Sequence, residues 1–306
     1  MSFRDAPPLP PVPARDPTGH KGTFGTVCVV GGHAAEPSVM LGSVVLASLG
    51  ALRVGAALCI AAAPEPILPA ILSACPSATG LPLPVDADGR IVPHLAAQAL
   101  DAHAGRAGVL AIGPGMGTGF VEAQVTVRIL SMDDGRPVVV DADALNNLAA
   151  TPQFHLDLRA PMVLTPHPGE YRRLAEALSI DADPVDPLAR PAAAERLAQR
   201  LGCVVALKGH GTVVSDGVRT WTCARGNDAL AVGGSGDVLT GAVAGMIAQH
   251  GRALGLFDCT RLAVEAHAIA GERWSRRAGG TAGMLAAELA AELPGALAAM
   301  RTLASP

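Results

Sequence analysis

The chain has 306 residues, with 23 Lys and Arg against 27 Asp and Glu for a formal net charge of −4. That balance, without a basic run, argues against a nucleic-acid partner, and the length allows one large α/β domain or two small ones with ample core. Half the residues are hydrophobic but only 3% are aromatic, so Ala, Val and Leu must fill the core, while 35 Gly and 25 Pro imply many short connections.

Residues 1–20 carry six prolines and read as an extended arm. This start is short and not apolar, which predicts no secretory leader. From Lys21 the chain alternates between β-type apolar runs and Ala/Leu-rich helical runs. Val27–Val30 is a strand ending in Gly31-Gly32, Ser38–Val54 a helix and Ala56–Ala61 a strand. Nothing is assigned from about Ala62 to Val92. Gly108–Ile112 is a strand leading into Gly113-Pro114-Gly115-Met116-Gly117, followed by a helix over 120–131 and a strand at Pro137–Val140. Asp143–Leu148 begins a short helix, Met162–Thr165 is a strand, and Glu170–Leu178 and Ala192–Leu201 are helical. Cys203–Lys208 is a strand, and Thr212–Ser215 with Arg219–Cys223 forms a hairpin around Asp216-Gly217. Helices follow from Gly236 to about Gln249, over 260–275 and over 281–293.

Such alternation predicts one α/β domain over 21–300, a mostly parallel sheet with helices on both faces. Ligands collect outside the carboxyl ends of such strands, where the loops after Val30, Ile112, Val140, Leu164 and Lys208 converge. The longest apolar stretch, Met40–Leu52, is cut by Arg53 and too short to span a bilayer, which predicts a soluble chain. The cysteines, Cys28, Cys59, Cys75, Cys203, Cys223 and Cys259, form no C-x-x-C pair. They read as small buried hydrophobes in a reducing cytoplasm.

Several segments could carry chemistry. Gly233, Gly234 and Gly236 precede an apolar helical run, so backbone amides and a helix N-terminus face one point, an anion hole suited to a phosphoryl group. Asp237 in the first turn is either an ordinary N-terminal acid or a general base for a hydroxyl attacking that phosphate. Lys208-Gly209-His210-Gly211-Thr212 leaves a strand and could bring a lysine and close backbone to a nucleotide. Taken alone, it reads as a bend with a solvated lysine. In Thr165-Pro166-His167-Pro168-Gly169-Glu170, His167 either faces substrate or marks a helix start with Glu170 in its first turn. No second His or Cys lies at ligand spacing, so the metal ligands stay unknown. Asp141 and Asp143 at a strand end could hold a magnesium water or the substrate, or Asp143 could cap a helix. The loops Lys21–Gly25 and Gly113–Gly117 match neither the Walker nor the Rossmann spacing.

Taken together and in order, these segments resemble the NAD(P)H-hydrate dehydratase family, from about His20-Lys21-Gly22 to about Pro294. The resemblance rests on His20-Lys21-Gly22-Thr23-Phe24-Gly25, Gly-Pro-Gly-Met-Gly, Asp-Ala-Asp-Ala-Leu, Thr-Pro-His-Pro-Gly-Glu and Gly-Gly-Ser-Gly-Asp-Val-Leu-Thr-Gly. It implies a ribokinase-like fold, ADP or ATP as phosphate donor with Mg2+, and a homotetramer. By the same resemblance, Lys208, Gly209, His210, Gly211 and Thr212 lie around the adenine nucleotide and Gly234 and Gly236 contact its phosphate. Asp237, His167, Gly115 and Ser43 contact the hydrated nicotinamide substrate. Met40-Leu41-Gly42-Ser43 departs from the family's Met-Pro-Gly-Ala string. No epimerase domain is recognised, so that activity is expected from a separate chain.

The implied reaction is phosphorylation of the ring hydroxyl followed by elimination, which regenerates NADH or NADPH. Asp237 would take the hydroxyl proton, and the Gly234–Gly236 amides with a metal would absorb developing charge. Two alternatives remain. One is a kinase of the same fold for a vitamin precursor such as hydroxyethylthiazole or hydroxymethylpyrimidine; the other is an inactive nucleotide-binding sensor.

Overall fold

Short, mostly apolar runs pair into one sheet in the computed structural model, which describes residues 4–303. In chain order the strands are β1 (Arg4–Asp5), β2 (Thr26–Val30), β3 (Leu58–Pro64), β4 (Ala78–Leu83) and β5 (Val109–Ile112). They continue with β6 (Val138–Val140), β7 (Met162–Leu164), β8 (Val204–Leu207), β9 (Val213–Ser215) and β10 (Arg219–Thr222). Across the sheet the order is β1-β10-β9-β8-β7-β6-β5-β2-β3-β4. Neighbours from β8 through to β4 are parallel, and β1 is parallel to β10. β9 pairs antiparallel with both β8 and β10, completing the expected hairpin. Among the described residues, only β9 runs against the rest.

The helices are α1 (Gly42–Arg53), α2 (Leu68–Ala74), α3 (Pro93–His103), α4 (Phe120–Leu130), α5 (Asp143–Ala150), α6 (Pro168–Ala177) and α7 (Arg190–Leu201). Two more follow, α8 (Ser235–Ala278) and α9 (Ala286–Leu303). Side chains alternate across a strand, so β2 sends Val27 and Val29 into a core with α1, α8 and α9. Its Cys28 and Val30 go to the opposite core, built with α3 to α7. All six cysteines are free and buried. No helix among the described residues is long and apolar enough to cross a membrane.

The sheet order places a crevice. From β2 the chain steps outward through β3 to β4, returns to β5 on β2's other side, then steps the opposite way through β6, β7 and β8. Binding sites form at such a reversal, beyond the carboxyl ends of the strands. The expected loops after Val30, Ile112, Val140, Leu164 and Lys208 all lie on that edge.

Several boundaries differ from the sequence reading. The first helix starts at Gly42 rather than Ser38, because a backbone bridge between His33 and Met40 holds the preceding residues in a tight loop. The unassigned stretch after Ala62 contains α2 and β4. α8 runs on to Ala278, interrupted at Gly255, whose φ is 74°. The Pro-rich arm lies along the body: Val12 is buried and Arg261 donates to the Pro7 carbonyl at 2.6 Å.

Candidate active site

α8 begins where a glycine cap makes room for it. Gly234, the N-cap, has φ 87°, and a Cβ there would lie 2.4 Å from Leu46 Cδ1. Only glycine fits both restrictions. The first intrahelical bond runs from Val238 N–H to Gly234 O at 3.1 Å. The amides of Gly236 and Asp237 therefore precede the helical ladder and add to the positive end of the dipole.

Three loops meet this helix end. A Cβ on Gly236 would lie 3.3 Å from Lys208 Nζ and 3.9 Å from Asp141 Oδ2, so β8, β6 and α8 converge here. Lys208 Nζ sits 2.5 Å from Asp141 Oδ1 and 3.8 Å from Glu170 Oε2. Thr240 Oγ1 donates to Asp141 Oδ2 at 2.6 Å. The solvated-lysine reading therefore does not hold, because Lys208 is partly buried in a charge cluster. Burial opposes its ammonium, but Asp141 and Glu170 outweigh that and raise its pKa.

Asp237 faces this cluster from the side of α1. Its pKa is pushed up to about 6, first by burial and then by the Asp141 charge. A hydrogen bond with the Ser43 side chain and the Lys208 charge pull it back, and Asp143 raises it further. Ser43 also touches the glycine loop after β5: a Cβ on Gly115 would lie 3.2 Å from both Ser43 Cβ and Ser43 Oγ. Ser43, Gly115, Lys208, Gly236 and Asp237 thus share one neighbourhood.

The loop between β5 and α4 is held by the acids and amides of α5. Gly117 N–H donates to Asp143 Oδ2 at 2.9 Å. Asp143 is therefore not the cap of α5, which is Ala142 at φ 50°. That positive φ in a residue with a Cβ is strained backbone between the two acids. Gly113 cannot carry a side chain, because a Cβ would lie 1.9 Å from the Asp141 carbonyl oxygen.

His167 starts a helix, as one of its two readings expected. It is the N-cap of α6, its Nδ1 accepting from Gly169 N–H at 2.9 Å, while Glu170 Oε2 accepts from the His167 N–H at 2.8 Å. This reciprocal box occupies Nδ1, and Nε2 lies 3.2 Å from Glu170 Oε1. Burial and then the Lys208 charge hold its pKa low, so the ring is neutral at neutral pH. Half of the side chain, 51%, remains exposed. Glu170 is pushed up, first by burial, with Lys208 opposing and Asp141 adding.

The sequence reading treated Glu170 as a first-turn acid and missed Thr240 and His267. His267 is buried, with Nε2 3.0 Å from the Ser235 carbonyl and 3.2 Å from Ser235 Oγ. Burial pushes its pKa down to about 4, so it stays neutral and supports the first turn of α8 from behind. Helical spacing hides this pair, which lies 32 residues apart in sequence. Of the remaining nucleotide-side residues, Gly209 faces Arg190, His210 is exposed and Thr212 Oγ1 donates to the Gly209 carbonyl at 3.1 Å. Gly211 lies beside the Thr222 methyl. The Lys21–Gly25 loop is not part of this site. It precedes β2 at the amino edge of the sheet, where a Cβ on Gly25 would lie 2.4 Å from the Ala248 carbonyl oxygen.

Among the described residues, no group of three or more His, Cys, Asp or Glu is placed to hold a metal ion. Both Asp141 oxygens are already engaged, by Lys208 and Thr240. A helix end offering amides, a half-buried carboxyl partly protonated near neutrality and a paired lysine can bind an anion and take a proton from a neighbouring hydroxyl.

Comparison with known proteins gives the same direction. The family model described as NAD(P)H-hydrate dehydratase matches residues 27–295. The bifunctional NAD(P)H-hydrate repair enzyme Nnr of Salinibacter ruber is 40% identical over 78% of this chain and 42% of its own length. The chain thus spans about half the length, or less, of such bifunctional relatives. The ADP-dependent (S)-NAD(P)H-hydrate dehydratase of Neisseria meningitidis is 33% identical over 90% of this chain and 86% of its own. The crystal structure of the Bacillus subtilis ADP/ATP-dependent NAD(P)H-hydrate dehydratase, co-crystallised with ATP/Mg2+, superposes with a TM-score of 0.75. It is 31% identical and covers 95% of each chain, and the fold is also that of a ribokinase-like superfamily protein of Enterococcus faecalis, with a TM-score of 0.74 at 23% identity over 95% of this chain and 92% of that one. By the extent of the family match and the identity over nearly its whole length, the chain belongs to the NAD(P)H-hydrate dehydratase family.

Proposed function

We propose that the chain dehydrates hydrated NADH and NADPH at the expense of ADP or ATP, returning the reduced cofactor. The observation that carries this reading is Asp237. It is a carboxyl held near a pKa of about 6, placed in the first turn of a helix whose free amides suit a phosphate. An acid in that position opposes phosphate binding unless it has a proton to remove.

The residues then divide the work. Ser43 orients Asp237, and Gly115 lets the ring approach closely. Asp237 takes the proton of the hydroxyl on the hydrated ring as that oxygen attacks the terminal phosphate. The amides of Gly234 to Gly236 face the charge that develops on the transferred group. Lys208 to Thr212 line the nucleotide side, and His167 borders the substrate with its exposed face. The ring nitrogen's lone pair then expels phosphate, and loss of a proton from the neighbouring carbon restores the dihydronicotinamide. Hydroxide, a poor leaving group, has become phosphate, a good one.

Magnesium fits as an ion carried mainly by nucleotide phosphates and water, since it keeps several waters and needs few protein ligands. It would supply charge neutralisation at the transferred phosphate. The Bacillus relative crystallised with ATP/Mg2+ and the Neisseria relative named for ADP support the choice of donors. We propose that the enzyme acts in the cytoplasm as a homotetramer.

The test is recovery of the dihydronicotinamide near-ultraviolet absorbance from hydrated NADH or NADPH, with magnesium and either nucleotide. Recovery is expected from the parent. Asp237→Ala should keep nucleotide binding and lose turnover by about 10²–10⁴-fold, the usual contribution of a positioned base. No recovery from folded, nucleotide-binding protein would sink the dehydratase and favour a vitamin-precursor kinase. Equal rates in parent and variant would remove Asp237 from the mechanism.

A further inference from the structure

Behind the Lys208–Thr212 turn lies a buried cation that no acid neutralises. Arg190, the first residue of α7, is 4% exposed and stands at the positive end of its own helix, where a cation is unfavourable. No acid among the described residues pairs with it, and burial lowers its pKa. Asp186, four residues before it, spends its Oδ1 on the Leu188 N–H at 3.0 Å instead. The Nε of Arg190 has no hydrogen-bond partner. A buried guanidinium without a counter-charge is costly to keep, and the cost needs a reason.

What Arg190 does touch is backbone. Its Nη1 donates to the Pro184 carbonyl at 2.9 Å, and its Nη2 donates to the Leu207 carbonyl at 2.9 Å and to the Gly211 carbonyl at 3.5 Å. Between Leu207 and Gly211 lies Gly209, with φ 150°, where a Cβ would fall 2.8 Å from Nη1. The guanidinium thus fills the space that a side chain on the turn would need. Thr212 Oγ1 occupies the Gly209 carbonyl at 3.1 Å. Three carbonyls are engaged in this way, whereas the N–H groups of Gly209, His210 and Gly211 meet no acceptor among the described residues. Successive free amides in a turn form an anion-binding concavity. The turn also adjoins the phosphate end of the site, since Lys208 Nζ lies 3.3 Å from the Cβ position of Gly236.

We propose that Arg190 is a positioning residue for the phosphate donor, holding the Gly209–Gly211 turn with its amides free for an oxyanion of the nucleotide. Its charge, unspent on any acid, makes that turn electropositive. Arg190 touches no ligand in this role and acts through the Leu207 and Gly211 carbonyls. The proposal rests on the dehydratase reading given above, and on its nucleotide side alone.

The experiment separates the two substrates. Arg190→Met keeps a long stem and removes both the fork and the charge. It should raise KM for ADP and for ATP about tenfold, the scale of a lost charge-assisted contact. Its kcat and its KM for the hydrate should stay near the parent values. Arg190→Lys, which keeps the charge, should recover part of the loss. Calorimetry should show ADP binding weakened in Arg190→Met and adenosine, which carries no phosphate, bound as in the parent. An unchanged KM for nucleotide overturns the proposal. So does a rise in both KM values with a fall in kcat, the mark of a residue that only supports the fold. If Arg190→Met does not fold, hydrogen exchange on the parent decides. Saturating ADP, but not saturating adenosine, should then protect the amides of 209–211, and equal protection by the two overturns the proposal. A parent that binds ADP but turns over no hydrate ends the dehydratase reading alone, and the ADP and adenosine affinities still decide Arg190.

Discussion

A carboxylate that must ionise in a half-buried place weakens the fold that holds it, and Asp237 is such a group. Its pKa of about 6 lies above the ordinary 3.8, with burial first and Asp141 second as the causes. The folded state therefore binds the proton more tightly than the unfolded chain. Stability falls as pH rises from about 4 to about 6 and is level beyond. Asp237→Asn should remove that slope and stabilise the protein above pH 6 by about 1–3 kcal/mol. Denaturant melts of parent and variant at several pH values check it; a variant less stable at pH 7 would show that the charge is welcome where it sits. The same titration predicts that kcat/KM falls tenfold per unit below about pH 6, as the base becomes protonated. Behind Asp237, the neutral His267 holds the Ser235 carbonyl at 3.0 Å. His267→Ala should lower kcat with little change in thermal midpoint relative to other core truncations, and His267→Gln should restore part of the rate by keeping a donor.

At the scale of elements, α1 and α8 decide whether Ser43 and Asp237 meet. Their crossing is closed to the backbone by glycines and alanines. A Cβ on Gly241 would lie 1.9 Å from the Ala47 carbonyl oxygen, and one on Gly50 would lie 2.3 Å from the Val238 carbonyl oxygen. Gly241→Ala should therefore cost roughly 1–3 kcal/mol or more through overpacking, and it should depress activity further by moving Asp237 away from Ser43. Unchanged melting and activity would mean that the helices can separate freely. The strands that frame the site were legible in the sequence, because Val27–Val30, Val138–Val140 and Met162–Leu164 are apolar runs ended abruptly by Gly, Asp or Pro. The converging loops followed from them. β4 was not legible, since Pro82 interrupts it and only an edge position tolerates the missing donor. The capping box of α6 was half legible: Glu170 stands at the right offset, but a histidine as cap is outside the usual set. The Lys208–Asp141–Thr240 contacts join β8, β6 and α8, and no local pattern encodes such a meeting.

Over the whole molecule, the amino-terminal arm closes a flank of the core with α1, α8 and α9. Arg261, on α8, is fully buried and lies beside the rings of Trp221 and Phe257 at 5.4 and 5.2 Å. It pairs with Asp258 at 2.7 Å and donates to the Pro7 carbonyl at 2.6 Å. Removing residues 1–12 takes away that acceptor and the buried Val12, and should cost about 1.5–3 kcal/mol, the worth of a hydrogen bond to a charged group. An unchanged melting temperature would mark the arm as dispensable. The buried thiols extend this global view. Burial pushes Cys59, Cys203, Cys223 and Cys259 up to about 12, and all six cysteines lie in the two cores. None presents a thiolate to a reagent while the fold is closed. The chain thus carries its own stopwatch: at saturating alkylating agent, sulfhydryl labelling should proceed from no modified groups to all six without intermediates, at the rate of opening itself.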